Sequence, residues 1–309
     1  MLSRRSVRVK VMQTIYNWFQ DKNLSIHDVN GRYHENVNMA YELLIFNLRN
    51  LVLICRMSVE DKEKRNQKYL ITEEDRNFKS HIYRNDIIAR IEDNPEFKKH
   101  KGKFNDFLDV SQARKIYQKF AKTDEYKAYI NKGEHDNNDH VDILIFLWKF
   151  LCQNELYIEL VYDAYPNWID DDSLVKGFLK RIIRGVEDNE RVLQEFKPDA
   201  ETVNEFGESL LEDVIENFES YNKRLIPFLK NWEIERVAII DRILIKMALS
   251  EFLSFSSIPT KVTLNEYVEI AKMYSTDKSK EFLNGILDAV LKDLQEADEI
   301  QKRGRGLIQ

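Results

Sequence analysis

Apolar residues in this chain recur every three or four positions almost from end to end, and hardly any stretch alternates Val, Ile or Thr with polar residues. That period predicts an all-α protein. Val7, Val11, Ile15 and Trp18 fall on one stripe of an N-terminal helix, while Arg5, Arg8, Met12 and Tyr16 fall on the neighbouring stripe. The helix is expected to bury one side and to offer a partly basic edge that ends in an aromatic ring. Further helical patterns cover roughly 33–60, 80–93, 104–131, 139–164 and 172–195. Polar segments at 60–65, 94–95, 133–140 and 170–173 separate them, and the last has the short acceptors and acids of a helix start.

Downstream, 206–228 reads as one helix with Leu210, Leu211, Val214, Ile215, Phe218 and Tyr221 inward. Between 231 and 252 apolar residues cover most of the circumference, which predicts a buried central helix. Pro259 marks a boundary, and Thr263 with Glu266 has the spacing of a capping box. Leu264, Tyr267, Val268, Ala271 and Tyr274 form the next stripe. A turn at 275–277 leads into a second cap and a helix lined by Leu283, Ile286, Leu287, Val290, Leu291 and Leu294. Gly285 inside that helix is about 1 kcal/mol worse than Ala, so a close approach by another helix is its expected use.

Composition supports a folded core: 43% of the 309 residues are hydrophobic, with nine Gly and five Pro. No apolar run approaches the roughly 18 residues of a membrane span, and the first residues lead into an amphipathic helix rather than an apolar signal core. Cys55 and Cys152 have no pairing pattern, as expected for reduced thiols in a cytoplasm. A net charge of −6 argues against nucleic acid, but the charge is unevenly placed. Residues 1–10 hold Arg4, Arg5, Arg8 and Lys10 with no acid, and the tail adds Lys302, Arg303 and Arg305. Guanidinium forks suit phosphate oxygens and aromatic rings suit unstacked bases, the chemistry of single-stranded RNA recognition.

Signals for catalysis are weak. His135 and His140 with Asp136 and Asp139 lack a spacing that fixes metal geometry, and a solvated loop is the better expectation. Glu155, Glu159 and Asp163 lie at helical spacing without the Glu-x-x-His pair of a di-iron site, and read as an exposed acidic face. Cys152 sits in an apolar context and reads as inert. There is no phosphate-cradling loop, no nucleophile elbow and no Cys-x-x-Cys pair. No enzyme, cofactor or metal is expected.

The C-terminal block carries many identities at fixed spacing: Pro259, Lys261, Val262, Asn265, Glu266, Ala271, Lys272, Ser279, Phe282, Asn284, Gly285 and Asp288. It closely resembles the signature of the NusB family of bacterial transcription antitermination factors. Arg4, Arg5, Arg8, Gln13, Ile15 and Tyr16 match that family's N-terminus, and Asp241, Arg242, Lys246, Ala248, Leu249 and Glu251 match its central helix. Two places depart from the pattern: where many members have a Gly and an acidic residue in the turn, this chain has Ser275, Thr276, Asp277 and Lys278, and Ser250 replaces a common Tyr. The resemblance implies a NusB-like helical bundle core at 1–22 and 205–309, with an all-helical insertion of unknown role at 23–204. It implies binding of single-stranded boxA RNA of ribosomal-RNA transcripts, with the ribosomal protein acting as NusE, and association with the RNA polymerase elongation complex and other Nus factors. The implied RNA contacts are Arg4, Arg5, Arg8, Gln13, Tyr16, Lys278, Ser279 and Phe282, and the implied partner-binding residues are Asp241, Arg242 and Lys246. Methyltransferases that carry a NusB-like domain need alternating strands and helices and a Gly-rich cofactor loop, which this pattern lacks. The rival expectation is a helical protein-interaction adaptor that keeps the fold without RNA recognition.

Overall fold

Helices begin where the chain supplies caps. In a computed structural model, which describes residues 2–100, 108–186, 188–189, 191–229 and 236–303, the Ser3 hydroxyl accepts from the Ser6 N–H and opens α1 (Arg4–Gln20). A single long helix follows, α2 (Ile26–Asn66). Helices are the regular structure of the described residues, with no strand among them. None of their helices is long and apolar enough to cross a membrane.

Two compact units divide the chain. The first spans Asn38–Lys197 and holds most of α2 together with α3 (Glu73–Asn77), α4 (Asp86–Asp93), α5 (Pro95–Lys99), α6 (Val110–Phe120), α7 (Asp124–Asn131), α8 (Asn137–Leu151), α9 (Glu155–Ala164) and α10 (Trp168–Gly185). Its core joins Ile54, Leu144, Leu147, Trp148, Leu179 and Ile182. Buried Tyr157 donates its hydroxyl to Asn47 Oδ1 at 2.7 Å, so this pair is satisfied inside the apolar core. Residues 104–107 of the expected helix at 104–131 lie outside the described residues. The acids at 170–173 do not open α10, which begins at Trp168 and takes Asp170 and Asp171 into its first turn.

The segment 133–140 is more ordered than a solvated loop. Asp136 and Asp139 form a capping box that opens α8, and His135 and His140 are half-buried against Tyr129. His135 Nε2 lies 2.7 Å from the Tyr129 carbonyl, and His140 Nδ1 lies 2.8 Å from its hydroxyl. Among the described residues no group of three or more His, Cys, Asp or Glu could hold a metal ion. Cys55 is fully buried, and burial pushes the Cys152 thiol up to about 12, so neither is a ready thiolate.

The second unit joins Leu2–Val37 to Pro198–Gln309. It contains α1, the start of α2, a π-helical segment (Glu201–Glu208), α11 (Ser209–Glu216), α12 (Phe218–Leu225), α13 (Ile239–Ser254), α14 (Thr260–Tyr274) and α15 (Ser279–Glu296). Its pillar is α13, which is buried from Ile243 to Phe252 and packs on α1, α11, α12, α14 and α15. The expected start of this helix, 231–235, lies outside the described residues.

Several local expectations change here. The stretch 206–228 is not one helix: the π turns, a break at Asn217 and a short 3-10 turn (Ile226–Phe228) divide it. Thr263 is no cap, because α14 starts at Thr260 and Thr263 turns its hydroxyl inward to Glu251. Gly285 is exposed, with nothing within 4 Å of an added Cβ, so no helix among the described residues approaches it. The close approach is at Gly207 instead, where a Cβ would collide with the Tyr33 hydroxyl and lie 2.5 Å from Val7 Cγ1.

Candidate nucleic-acid interface

The first helix is more deeply buried than a half-exposed amphipathic helix. Val7 through Met12, with Thr14 and Ile15, are all buried, including Arg8 and Lys10. Packing on α13, α11 and the π segment covers the middle of α1 on several sides. Arg5 and Tyr16 stay exposed near the two ends of the stripe they share with Arg8 and Met12.

Arg8 therefore corrects one expectation: its guanidinium is not offered to solvent. Nε and Nη2 bond the two Glu251 oxygens at 2.6 and 2.9 Å, with the Phe206 and Tyr267 rings 5.0 and 5.7 Å away. Burial lowers the Arg8 pKa, but the bonds it donates to Glu251 and nearby negative charge outweigh it and leave the group above its usual value. Glu251 also accepts from the Tyr267 hydroxyl at 2.6 Å and the Thr263 hydroxyl at 3.1 Å. Lys302 Nζ caps the same helix end, on the Glu251 and Phe255 carbonyls at 2.7 and 2.8 Å. Sequence reasoning missed this network. The available signal was a carboxylate in a helix whose apolar residues cover most of its circumference, which has to find a partner inside.

Arg5 is 46% exposed and grips Glu266 through Nε and Nη2, each at 2.7 Å. Arg4 is exposed, 3.6 Å from Glu201, with its guanidinium 5.6 Å from the Phe206 ring centre. Gln13 is half-buried and accepts from Asn36 at 3.2 Å. Arg303 is exposed, and Arg305 lies outside the described residues.

At the start of α15, Lys278 is exposed and Phe282 half-buried. Ser279 is buried and donates to Asp241 Oδ2 at 2.7 Å, so its hydroxyl serves the turn rather than an external phosphate. Asp241 is buried with it. Arg242 is half-buried, 5.4 Å from the Phe19 ring centre, and Lys246 is fully buried, 3.9 Å from that of Phe218.

Arg8 meets Glu251 while Phe19 meets Arg242, so α1 and α13 run antiparallel. Glu251 lies ten positions after Asp241 on α13, about 15 Å of helix axis. The structure thus places Arg4 and Arg5 at one end of the pair, and Phe19, Arg242 and the start of α15 at the other. A strand of several nucleotides, not one base, would be needed to touch both.

Residues 159–292 match the family model described as the NusB family, a stretch that starts inside α9. Three relatives bear the name transcription antitermination protein NusB. That of Salinibacter ruber is 43% identical over 104 residues, 34% of this chain and 65% of the relative. That of Chloroherpeton thalassium is 42% identical over 99 residues, covering 32% and 47%. That of Methylacidiphilum infernorum is 39% identical over 99 residues, covering 32% and 69%. The chain thus spans less than two thirds of the length of the first two. No solved structure matches the chain. The relative matched over more than two thirds of its length, the family model and the all-helical fold agree: this chain belongs to the NusB family.

Proposed function

We propose that this protein is a transcription antitermination factor that binds single-stranded boxA RNA of ribosomal-RNA transcripts. It does so with the ribosomal protein acting as NusE, and joins the elongating RNA polymerase alongside other Nus factors. The observation that carries the reading is the pair of exposed ends on a NusB-family framework. Arg4 and Arg5 offer guanidinium forks at one end, and Tyr16, Lys278 and Phe282 offer rings and an ammonium toward the other. Phosphates would meet the forks, and bases the rings. Arg8 and Ser279 act underneath, holding α1 and the α15 turn in place. Glu266 occupies the Arg5 fork in the free protein, so RNA must compete with it.

Binding of a labelled boxA RNA across a salt series, with and without the ribosomal protein, tests this. Arg4→Ala with Arg5→Ala should weaken binding and reduce the salt slope by about 2. Tyr16→Ala should cost about 1–3 kcal/mol if a base stacks there. Unchanged affinity and slope in all variants, with ribosomal-protein binding kept, would replace the RNA reading by a protein-binding adaptor.

A further inference from the structure

Two cationic donors in the second unit have no hydrogen-bond partner among the described residues: Arg242 Nε and Lys246 Nζ, both buried. They sit one turn apart on α13 and face aromatic rings rather than carboxylates. Lys22 completes the cluster, its ammonium 5.3–5.7 Å from the ring centres of Trp18, Phe19 and Phe218. Trp18 meets Phe218 edge-on at 5.2 Å, and Phe19 lies 5.9 Å from Phe218. Three cations thus surround one aromatic trio, and among the described residues Glu219, exposed, pairs with Lys22 at 3.7 Å. Asp241, on the same helix, turns to Ser279 instead.

A buried ammonium without an anion is unfavourable, and cation–π contact offsets only part of the loss of water. From the unpaired Arg242 and Lys246 donors and the aromatic trio they share with Lys22, we infer an anion subsite that takes a phosphodiester oxygen of the bound RNA. The subsite opens by displacement of the exposed Lys22–Glu219 pair. It rests on the RNA-binding reading and adds a seat that the exposed residues do not supply. A strand leaving Tyr16 reaches it directly, because Phe19 lies one helical turn further along the same side of α1. Aromatic rings interleaved with cations suit a nucleotide better than a lone carboxylate side chain.

Burial and then Arg242 pull the Lys246 pKa down to about 7 against an upward pull from Glu219, with Lys22 adding the smallest downward one. The ammonium form is the one that holds a phosphate. RNA affinity should therefore fall as pH rises through about 7, and Lys246→Arg, charged throughout, should remove that dependence. The experiment measures boxA RNA binding between about pH 6 and 8.5 at fixed ionic strength, for wild type, Lys246→Arg and Lys246→Met, each checked for folding by circular dichroism. Expected is a loss of about tenfold across the range in wild type, none in Lys246→Arg, and uniformly weak binding in Lys246→Met. Identical affinities and pH profiles in all three would overturn the subsite while leaving the RNA reading intact. Absence of RNA binding in every protein at every pH would overturn both. A pH dependence confined to binding of the ribosomal protein would also overturn it, because the anion would then be a carboxylate.

Discussion

Arg5 and Arg8 lie three positions apart on α1, yet the first side chain is 46% exposed and the second 3%. The energetic consequences differ accordingly. An exposed pair such as Arg5–Glu266 contributes about 0–1 kcal/mol, whereas breaking a buried pair strands a charge and costs about 3–5 kcal/mol. Arg8→Met should therefore lower unfolding free energy by about that amount in urea titration, because the buried Glu251 carboxyl is left with only the Tyr267 and Thr263 hydroxyls to hold it. Arg5→Ala should leave the midpoint almost unmoved. Equal, small effects would show that Arg8 is not the pin described. Lys246 carries a second prediction, read by stability alone. Its folded pKa, about 7, lies below the ordinary lysine value, so between about 7 and 10 the unfolded chain binds more protons. Its contribution is complete at high pH and is lost as pH falls toward 7. Lys246→Met should thus exceed wild type in stability most at about pH 7 and below, with the gap narrowing toward pH 9. A gap independent of pH would refute the assignment.

At the scale of elements, the π segment and the helices around it show why a glycine's position is not its role. Gly207 is where Tyr33, which donates to the Val203 carbonyl at 3.0 Å, and Val7 press against the backbone. Gly207→Ala should overpack that contact and cost about 1–3 kcal/mol. Gly285→Ala meets nothing within 4 Å inside α15 and should gain up to about 1 kcal/mol. Thermal melting of the two variants should shift in opposite directions; a shift in the same direction would refute the packing account. The period of the apolar residues was enough to read α1, α13, α14 and α15 as helices, because each repeats apolar residues every three or four positions. It was not enough to read the break at Asn217, or to tell Gly207 from Gly285, since both depend on what packs from elsewhere in the chain. Arg8 posed the same difficulty in the candidate site. A basic stripe looks alike whether it meets phosphate or a carboxylate 243 positions downstream. Lys278 and Tyr16, with no such partner to be found inside, were easier to place at the surface.

Across the whole molecule, each unit has its own core: Leu147 is fully buried in the first and Leu249 in the second. The chain passes between units twice, within α2 after Val37 and again after Lys197. Separate cores predict separate cooperative transitions rather than one. Leu147→Ala and Leu249→Ala each leave a cavity worth about 2–5 kcal/mol, but should lower different transitions when unfolding is followed in urea. Every residue proposed to touch RNA lies in the second unit. Leu147→Ala should therefore leave boxA RNA affinity unchanged at denaturant concentrations that melt only the first unit, while Leu249→Ala should lose affinity as the second unit melts. One coincident transition in both variants would show that the continuous helix α2 couples the cores. Loss of RNA binding on melting of the first unit alone would move part of the interface into residues 38–197.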